Sequence, residues 1–225
     1  MLTDSLLYES LRSHPLFLRK LRAFVEDYGL AEKPALVWQC SPLEPLEVDV
    51  HGARVLGAME RGAGAGNDLG WWYRFRSMQQ RAFVFDGIAS NRHEAECGWA
   101  AECHTDGHVI AGLWNFPQAR TSDGNVPVVV PLHGDTFSDF AAFAKSVMNA
   151  ADYAGRCQLT CSMLDAASLP FSRDPRWQSV SLTYLRRSVL QWRVRACTNP
   201  DELAGIASLM RADFFRAYGV EWPRS

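Results

Sequence analysis

The side chains best suited to bind a metal ion lie between residues 93 and 108 of this 225-residue chain. Cysteine thiolates and histidine imidazoles are the ligands that zinc prefers, and a structural site needs four of them close together. The candidate ligands are His93, Cys97, Cys103 and His108. Their spacing matches no zinc finger or zinc ribbon, and the alternative is an acidic loop that leads into a hairpin with half-buried thiols. We therefore expect no cofactor, with zinc or magnesium as the alternative.

Three aspartates form a second set that could do chemistry, namely Asp86, Asp139 and Asp165. Two of them end predicted strands, and Asp139 lies in the first turn of a predicted helix. Carboxylates in such positions can hold two magnesium ions that flank the attacking and leaving oxygens of a phosphodiester. Each aspartate also has a simpler explanation, because Asp favours turns and the first turn of a helix.

The order of elements around these aspartates resembles the start of the ribonuclease H fold. In that family, acids on the central strand, the first helix and the next strand hold two magnesium ions. The resemblance covers residues 86–165 and implies a divalent-metal-dependent nuclease or phosphodiesterase with Asp86, Asp139 and Asp165 as its catalytic residues. An additional predicted strand, residues 126–132, and the lack of a glutamate in the middle of the helix depart from the family pattern.

Arginine and aromatic side chains supply the third set. The basic residues are twenty Arg and three Lys. The Arg guanidinium binds phosphate or carboxylate at two points and stacks on aromatic rings. Alternation along residues 71–76 and 190–197 predicts strands with one polar face each, and two further arginines precede the second strand. The candidate binding residues are Trp72, Arg74, Arg76, Arg186, Arg187, Arg193 and Arg195.

A sheet face of this composition can stack bases and hold phosphates, or it can bind an acidic protein. The alternative is that the arginine stems cover apolar sheet surface while their charged heads stay in water. We expect a binding or interaction protein rather than an enzyme. Its expected macromolecular partner is a nucleic acid or an acidic protein.

The elements that must position these side chains begin with two predicted helices, residues 4–12 and 15–28. Proline is tolerated in the first turn of a helix, so Pro15 can begin the second one. Apolar side chains then recur every three or four residues from Phe17 to Tyr28, which predicts one buried stripe. The charges of this helix pair are balanced, which favours packing or formation of a homo-oligomer over reading of DNA.

Short strands and two amphipathic helices make up the rest of the chain. The predicted strands are 35–40, 46–51, 71–76, 81–86, 98–104, 108–114, 126–132, 157–165, 179–185 and 190–197. The step Asp106–Gly107 predicts a hairpin. Thr136 and Asn199 are predicted to cap the two helices. Because strands do not alternate regularly with helices, we predict an α+β fold with a largely antiparallel sheet, an N-terminal helix pair and two amphipathic helices packed on the sheet.

Length and composition indicate a globular protein. The net charge is −2, 48% of residues are hydrophobic, and no apolar run approaches the roughly 20 residues of a membrane span. A glycine-rich stretch at residues 62–66 divides an N-terminal segment, residues 1–61, from a main domain, residues 71–225, within what we expect to be one continuous unit. Since no secretion signal is recognisable, we expect a cytoplasmic protein with six reduced cysteines.

Overall fold

The computed structural model describes residues 11–61, 81–84, 86–93, 98–114, 134–172 and 182–221. The described residues form four helices: α1 (Pro15–Asp27), α2 (Ala53–Arg61), α3 (Thr136–Ala150) and α4 (Leu203–Ala217). The strands are β1 (Ala35–Pro42), β2 (Arg81–Val84), β3 (Gly87–His93), β4 (Gly98–His104), β5 (Val109–Trp114), β6 (Cys157–Leu164), β7 (Phe171–Ser172), β8 (Leu182–Thr183), β9 (Leu190–Gln191) and β10 (Arg195–Cys197). Short 3-10 turns cover Ala166–Ser168 and Pro200–Glu202.

Eight of these strands form one antiparallel sheet, which confirms the predicted fold class. The strand order is β10-β6-β1-β5-β4-β3-β2, and β9 also pairs with β6. Among the described strands, the short β9 and β10 therefore share one edge of the sheet, and β2 lies at the other edge. β1 lies between β5 and β6, so the N-terminal segment supplies a central strand. β7 and β8 form a separate two-stranded ladder.

Both faces of the sheet are buried, each under different helices. On the face that we call the α1 face, Phe17, Leu21 and Phe24 pack against residues such as Val37 and Ile110. The opposite face, called the α3–α4 face, carries the larger core beneath α2, α3 and α4. Successive side chains of a strand point to opposite faces, so each central strand contributes to both cores. The apolar stripe of α1 is thus used for packing within the chain.

Two sequence features fix the local geometry near the α1 face. A Cβ atom added to Gly112 of β5 would lie 2.5 Å from the Phe24 ring, so glycine lets α1 approach the sheet closely. The β4–β5 hairpin is confirmed, and Gly107 has a φ of 76°. Its N–H donates to the carbonyl oxygen of His104 over 2.9 Å. Only the glycine of the Asp-Gly step takes the left-handed conformation, as in a three-residue hairpin loop.

The strand predicted at residues 46–51 is wrong. Val48 and Val50 are buried while Glu47 and Asp49 are exposed, as the alternation predicts, but the segment joins no ladder. The Val48 N–H donates instead to the carbonyl oxygen of Thr105 over 2.8 Å, which fixes the segment against the β4–β5 turn. Alternating hydrophobicity therefore predicts which side chains are buried. It does not distinguish a strand from an extended loop that lies over a core, because both have alternating side chains.

The single strand predicted at residues 190–197 is interrupted. Gln191 pairs with Ser162 and Arg195 pairs with Leu159, so four residue steps along this edge oppose three along β6. One additional residue in a strand is a β-bulge, which shifts the inward and outward alternation by one position. The Gln191 amide donates to Thr160 Oγ1 and to the carbonyl oxygen of Cys161, both over 2.9 Å, and holds the break in place.

The amphipathic helices largely follow the prediction. Asn199 Oδ1 accepts a hydrogen bond from the Asp201 N–H over 2.9 Å, as expected for a cap, in the 3-10 turn that leads into α4. At α3 the cap position belongs to Asp135 rather than Thr136. The Asp135 carboxylate pairs with Arg211 of α4 over 2.6 Å and so joins the two helices.

Some predicted elements lie outside the described residues. They are most of the helix at residues 4–12, the strands at 71–76 and 126–132, and part of the strand at 179–185. Within the described ranges, no helix is long and apolar enough to cross a membrane.

Candidate functional site

The structure does not bring the three aspartates together. Asp86 precedes β3 at the end where Gly87 pairs with His104, whereas Asp165 follows β6 at the opposite end of the sheet. Four strand spacings of about 4.8 Å separate β3 from β6, which adds roughly 19 Å across the sheet. Carboxylates that share a pair of magnesium ions must lie within a few ångströms of both, so these residues do not form the predicted site.

Local structure accounts for two of these aspartates. Asp165 adopts a left-handed conformation with a φ of 45° before the 3-10 turn, and its carboxylate accepts a hydrogen bond from Ser168 Oγ over 2.6 Å. Asp139 lies buried in the first turn of α3, where a negative charge is stabilised by the helix dipole. Both therefore have the turn and helix roles that were the simpler explanation.

The predicted zinc ligands are also divided between the two faces. Cys103 belongs to the core on the α3–α4 face. His108 lies on the α1 face, where its ring contacts Phe17 at a centroid distance of 5.4 Å. The sheet separates these two side chains, so they cannot bind one ion. Cys97 and the side chain of His93 lie outside the described residues, and among those described no group of three or more His, Cys, Asp or Glu could hold a metal ion.

Three of the predicted arginines are exposed in the segment that leads into β9 and joins it to β10. Arg186, Arg187 and Arg193 are exposed and make no ion pair with any described residue. Arg195 differs, because its guanidinium pairs with Asp213 of α4 over 3.2 Å. The bulge explains the difference, since it turns Arg195 towards the α3–α4 face. Three further candidates, Trp72, Arg74 and Arg76, lie outside the described residues.

An exposed aromatic side chain lies in the same segment as these arginines. Tyr184 is 57% exposed, although large apolar side chains are mostly buried in this protein. No acidic residue occurs from residue 182 to residue 195. We call the group of Tyr184, Arg186, Arg187 and Arg193 the arginine edge. It combines three exposed positive charges with one ring available for stacking.

A second group of mostly charged side chains lies beneath α1, on β4 and the turns beside it, and three of its members, Lys20, Glu102 and His104, are buried. His104 Nδ1 lies 2.7 Å from Asp86 Oδ1, and His104 Nε2 lies 3.1 Å from Glu102 Oε2. Lys20 of α1 donates to Asp86 Oδ2 over 3.0 Å, and the Tyr28 hydroxyl donates to Glu102 Oε1 over 2.9 Å. We call these five residues the buried charge network. A carboxylate faces each ring nitrogen of His104, which favours the doubly protonated imidazolium.

Electrostatics gives the two neighbouring histidines opposite character. Burial opposes the charge on His104, but its hydrogen bonds to Glu102 and Asp86 outweigh this, and the pKa of His104 is raised. His108 lies 6.1 Å away, and burial together with the charge of His104 holds the pKa of His108 well below its ordinary value. Its neutral ring places Nε2 3.2 Å from the side-chain oxygen of buried Gln39.

The buried charge network joins α1 to the sheet and is poorly suited to acid–base catalysis. Both oxygens of Asp86 are occupied, one by His104 and one by Lys20. Burial alone would raise the pKa of Asp86, but these two hydrogen bonds lower it, so the carboxylate stays ionised. A general base needs a pKa near neutrality and a free oxygen.

A groove of about 690 Å³ opens beside Asp86 at the β2–β3 end of the sheet. Its charged and titratable lining comes from Asp86 and from the segment that lies over the β4–β5 turn, namely Glu47, Asp49 and His51. We call it the acidic groove. Its lining repels a polyanion, so it is not a second part of the arginine edge.

Sequence reasoning missed Lys20, Tyr28 and Glu102, yet the sequence contains a signal for them. Lys20 lies three residues after Phe17 and four before Phe24, so it falls on the buried stripe of α1. Glu102 and His104 are two residues apart on one strand and therefore share one face. Charged residues on two surfaces that must pack together predict a buried ion pair.

The chain was also compared with known proteins. No protein family model matches it, and no curated protein or solved structure matches it.

Proposed function

We propose that this protein binds a single-stranded nucleic acid through the arginine edge. The observation that carries the proposal is the set of three exposed arginines without a described acidic partner, in a segment that also exposes Tyr184. Guanidinium groups bind phosphates at two points, and an exposed ring stacks a base of any sequence. This combination favours binding that depends on salt and tolerates different sequences.

A contrast with three arginines elsewhere in the described residues supports this assignment. Arg54, Arg211 and Arg216 each pair with an aspartate over 2.5–2.6 Å. An arginine already paired has less to gain from a phosphate than one that faces only water. Arg193 lies six residue steps after Arg187, at most about 20 Å of extended chain, so one short oligonucleotide can contact both.

The test measures the affinity of a labelled mixed-sequence DNA oligonucleotide by fluorescence anisotropy at several salt concentrations. Replacing Arg186, Arg187 and Arg193 together with alanine should weaken binding by a similar factor for every sequence. With single-stranded DNA each lost phosphate contact should reduce the salt slope by about 0.7, and three contacts by about 2. Tyr184→Ala should weaken binding roughly tenfold through lost stacking.

A matched control replaces two exposed arginines that are already paired, Arg54 and Arg216, with alanine. This variant should bind almost as the original protein does. Polyglutamate serves as a second probe, because an acidic polypeptide offers charge without bases. If polyglutamate binds as tightly as DNA and Tyr184→Ala has no effect, the partner is an acidic protein. If neither probe binds at about 50 mM salt, the arginines only keep the sheet edge soluble.

A further inference from the structure

Three cysteines meet on neighbouring strands at one end of the sheet. Cys40 lies on β1, Cys157 begins β6 and Cys197 ends β10. All three side chains belong to the core on the α3–α4 face, and all three are free thiols. The other described cysteines, Cys103 and Cys161, are also free and buried.

The strand register brings one pair of these cysteines into disulfide range. Cys197 lies directly opposite Cys157 in the β6–β10 ladder. Residues directly opposite in an antiparallel pair have Cα atoms about 4.5–5.5 Å apart, and disulfides span about 4.4–6.8 Å. Cys40 lies opposite Leu159, so it is a diagonal neighbour of Cys157. The Cα atoms of diagonal neighbours are about 7–8 Å apart, which exceeds the Cα–Cα distance of a disulfide.

The third thiol lies beside the pair and bears on its titration. A side-chain hydrogen bond from Cys40, supported by one from Cys197, lowers the pKa of Cys157 although burial opposes this. The same hydrogen bond and burial raise the pKa of Cys40 well above its ordinary range. Burial raises the pKa of Cys197 to about 11. The lowered pKa favours Cys157 as the thiol that attacks an oxidant, because the thiolate is the nucleophile.

We propose that Cys157 and Cys197 form an oxidisable dithiol that hydrogen peroxide converts to a disulfide between β6 and β10. The Cys157 thiolate attacks one peroxide oxygen, the O–O bond breaks and hydroxide leaves, which gives a sulfenic acid. The hydroxide takes up the proton that Cys157 lost on ionising and becomes the first water. The Cys197 sulfur then attacks the Cys157 sulfur, the S–S bond forms and the S–O bond breaks. The Cys197 proton leaves with the hydroxyl group as water. In total, two thiols lose two electrons and one peroxide is reduced to two waters.

The position of the pair at the sheet edge gives peroxide a way in. Cys197 is 6% exposed, and its neighbours Ala196 and Thr198 are exposed, as is Arg156 before β6. β10 is three residues long, and of the described strands it pairs with β6 alone. Short edge strands open locally at low free-energy cost, which exposes both sulfurs without unfolding the domain.

The test treats the reduced, unmodified protein with hydrogen peroxide in the presence of glutathione as an internal reference. Remaining thiols are then alkylated and the protein is digested and mapped by mass spectrometry. The expected result is a linked peptide pair that contains Cys157 and Cys197, with a loss of about 2 Da for the two thiol hydrogens. If both cysteines stay reduced while glutathione is oxidised, or if either links to another cysteine, the proposal is overturned.

Two variants separate the steps, and a third is the matched control. Cys197→Ala should trap the sulfenic acid on Cys157, where dimedone labels it. Cys40→Ala should slow oxidation because the activating hydrogen bond is lost. Cys161→Ala removes a buried thiol from the same strand and face as Cys157 and should leave the linkage and its rate unchanged. Equal slowing by Cys40→Ala and Cys161→Ala would show that Cys40 has no activating role.

Discussion

Removing the carboxylate of Glu102 tests whether the buried charge network holds α1 to the sheet. Glu102 is 3% exposed and accepts hydrogen bonds from His104 Nε2 and the Tyr28 hydroxyl. Glu102→Ala leaves the imidazolium with one counter-ion, Asp86, which is 37% exposed and shared with Lys20. It also leaves the tyrosine hydroxyl without its acceptor. The variant should therefore unfold more easily, and the loss should originate at the contact between α1 and β4.

The size of the effect follows from the burial of the partners. Removing one partner of a buried ion pair costs about 3–5 kcal/mol, because the other charge stays buried and unpaired. His104 keeps its hydrogen bond to Asp86, so we expect a loss near the lower end, about 3 kcal/mol. Tyr28→Phe removes a single hydrogen bond to a charged acceptor and should cost about 1–2 kcal/mol. The double variant should lose less than the sum, since both changes act on one network.

Urea unfolding followed by tryptophan fluorescence measures these free energies. The matched control is Glu26→Ala, which removes an exposed glutamate from α1 and should change the free energy of unfolding by less than about 0.5 kcal/mol. If Glu102→Ala costs no more than this control, the network does not stabilise the fold. A strictly additive double variant would contradict the direct link between Tyr28 and Glu102.

Three further changes test the α1 face. The folded protein holds His108 neutral whereas the unfolded chain protonates it, so the free energy of unfolding falls as the pH drops below about 6.5. His108→Gln should remove this fall, which amounts to up to about 1.4 kcal/mol per pH unit. His104→Gln should act with the opposite sign: its raised pKa stabilises the fold below about pH 6.5, and this contribution is lost as the pH rises through the folded-state pKa. Urea titrations at several pH values measure both effects, and parallel profiles for the two variants would contradict the assignment. Gly112→Ala should cost about 1–3 kcal/mol through the clash with the Phe24 ring, whereas Gly205→Ala in α4, where a Cβ meets nothing within 4 Å, should be neutral or stabilising.

The hairpin and the cap at Asn199 could be predicted from the sequence because each depends on a few adjacent residues, whereas the cap predicted at Thr136 was wrong by one position. The Asp-Gly step needs only the left-handed conformation of Gly107, and the cap at Asn199 needs only its own side chain and a nearby N–H. Neither feature depends on which strand lies next to which. Local chemistry of this kind determines local structure and survives any arrangement of the rest of the chain.

The candidate sites could not be predicted in the same way because they depend on strand order. Asp86 and Asp165 both adjoin the ends of strands. Only the strand pairing shows that β3 and β6 are four positions apart in the sheet and that the two aspartates lie at its opposite ends. Arg193 and Arg195 alternate perfectly in sequence, but one additional residue in the edge strand gives them different surroundings. A periodicity argument assumes an unbroken strand, and it contains no information about a bulge.

The proposed binding of a polyanion is compatible with a net charge of −2 because the two charged surfaces lie at opposite sides of the sheet. The arginine edge lies beside β9, and the acidic groove lies beside β3, with β6, β1, β5 and β4 between them. Five strand spacings of about 4.8 Å place the two surfaces roughly 24 Å apart. Charges on the surface are screened over about 8 Å at physiological salt, so neither surface senses the other there. Net charge is thus the wrong quantity for this chain, because a ligand at the arginine edge meets three positive charges and not the sum over the whole protein.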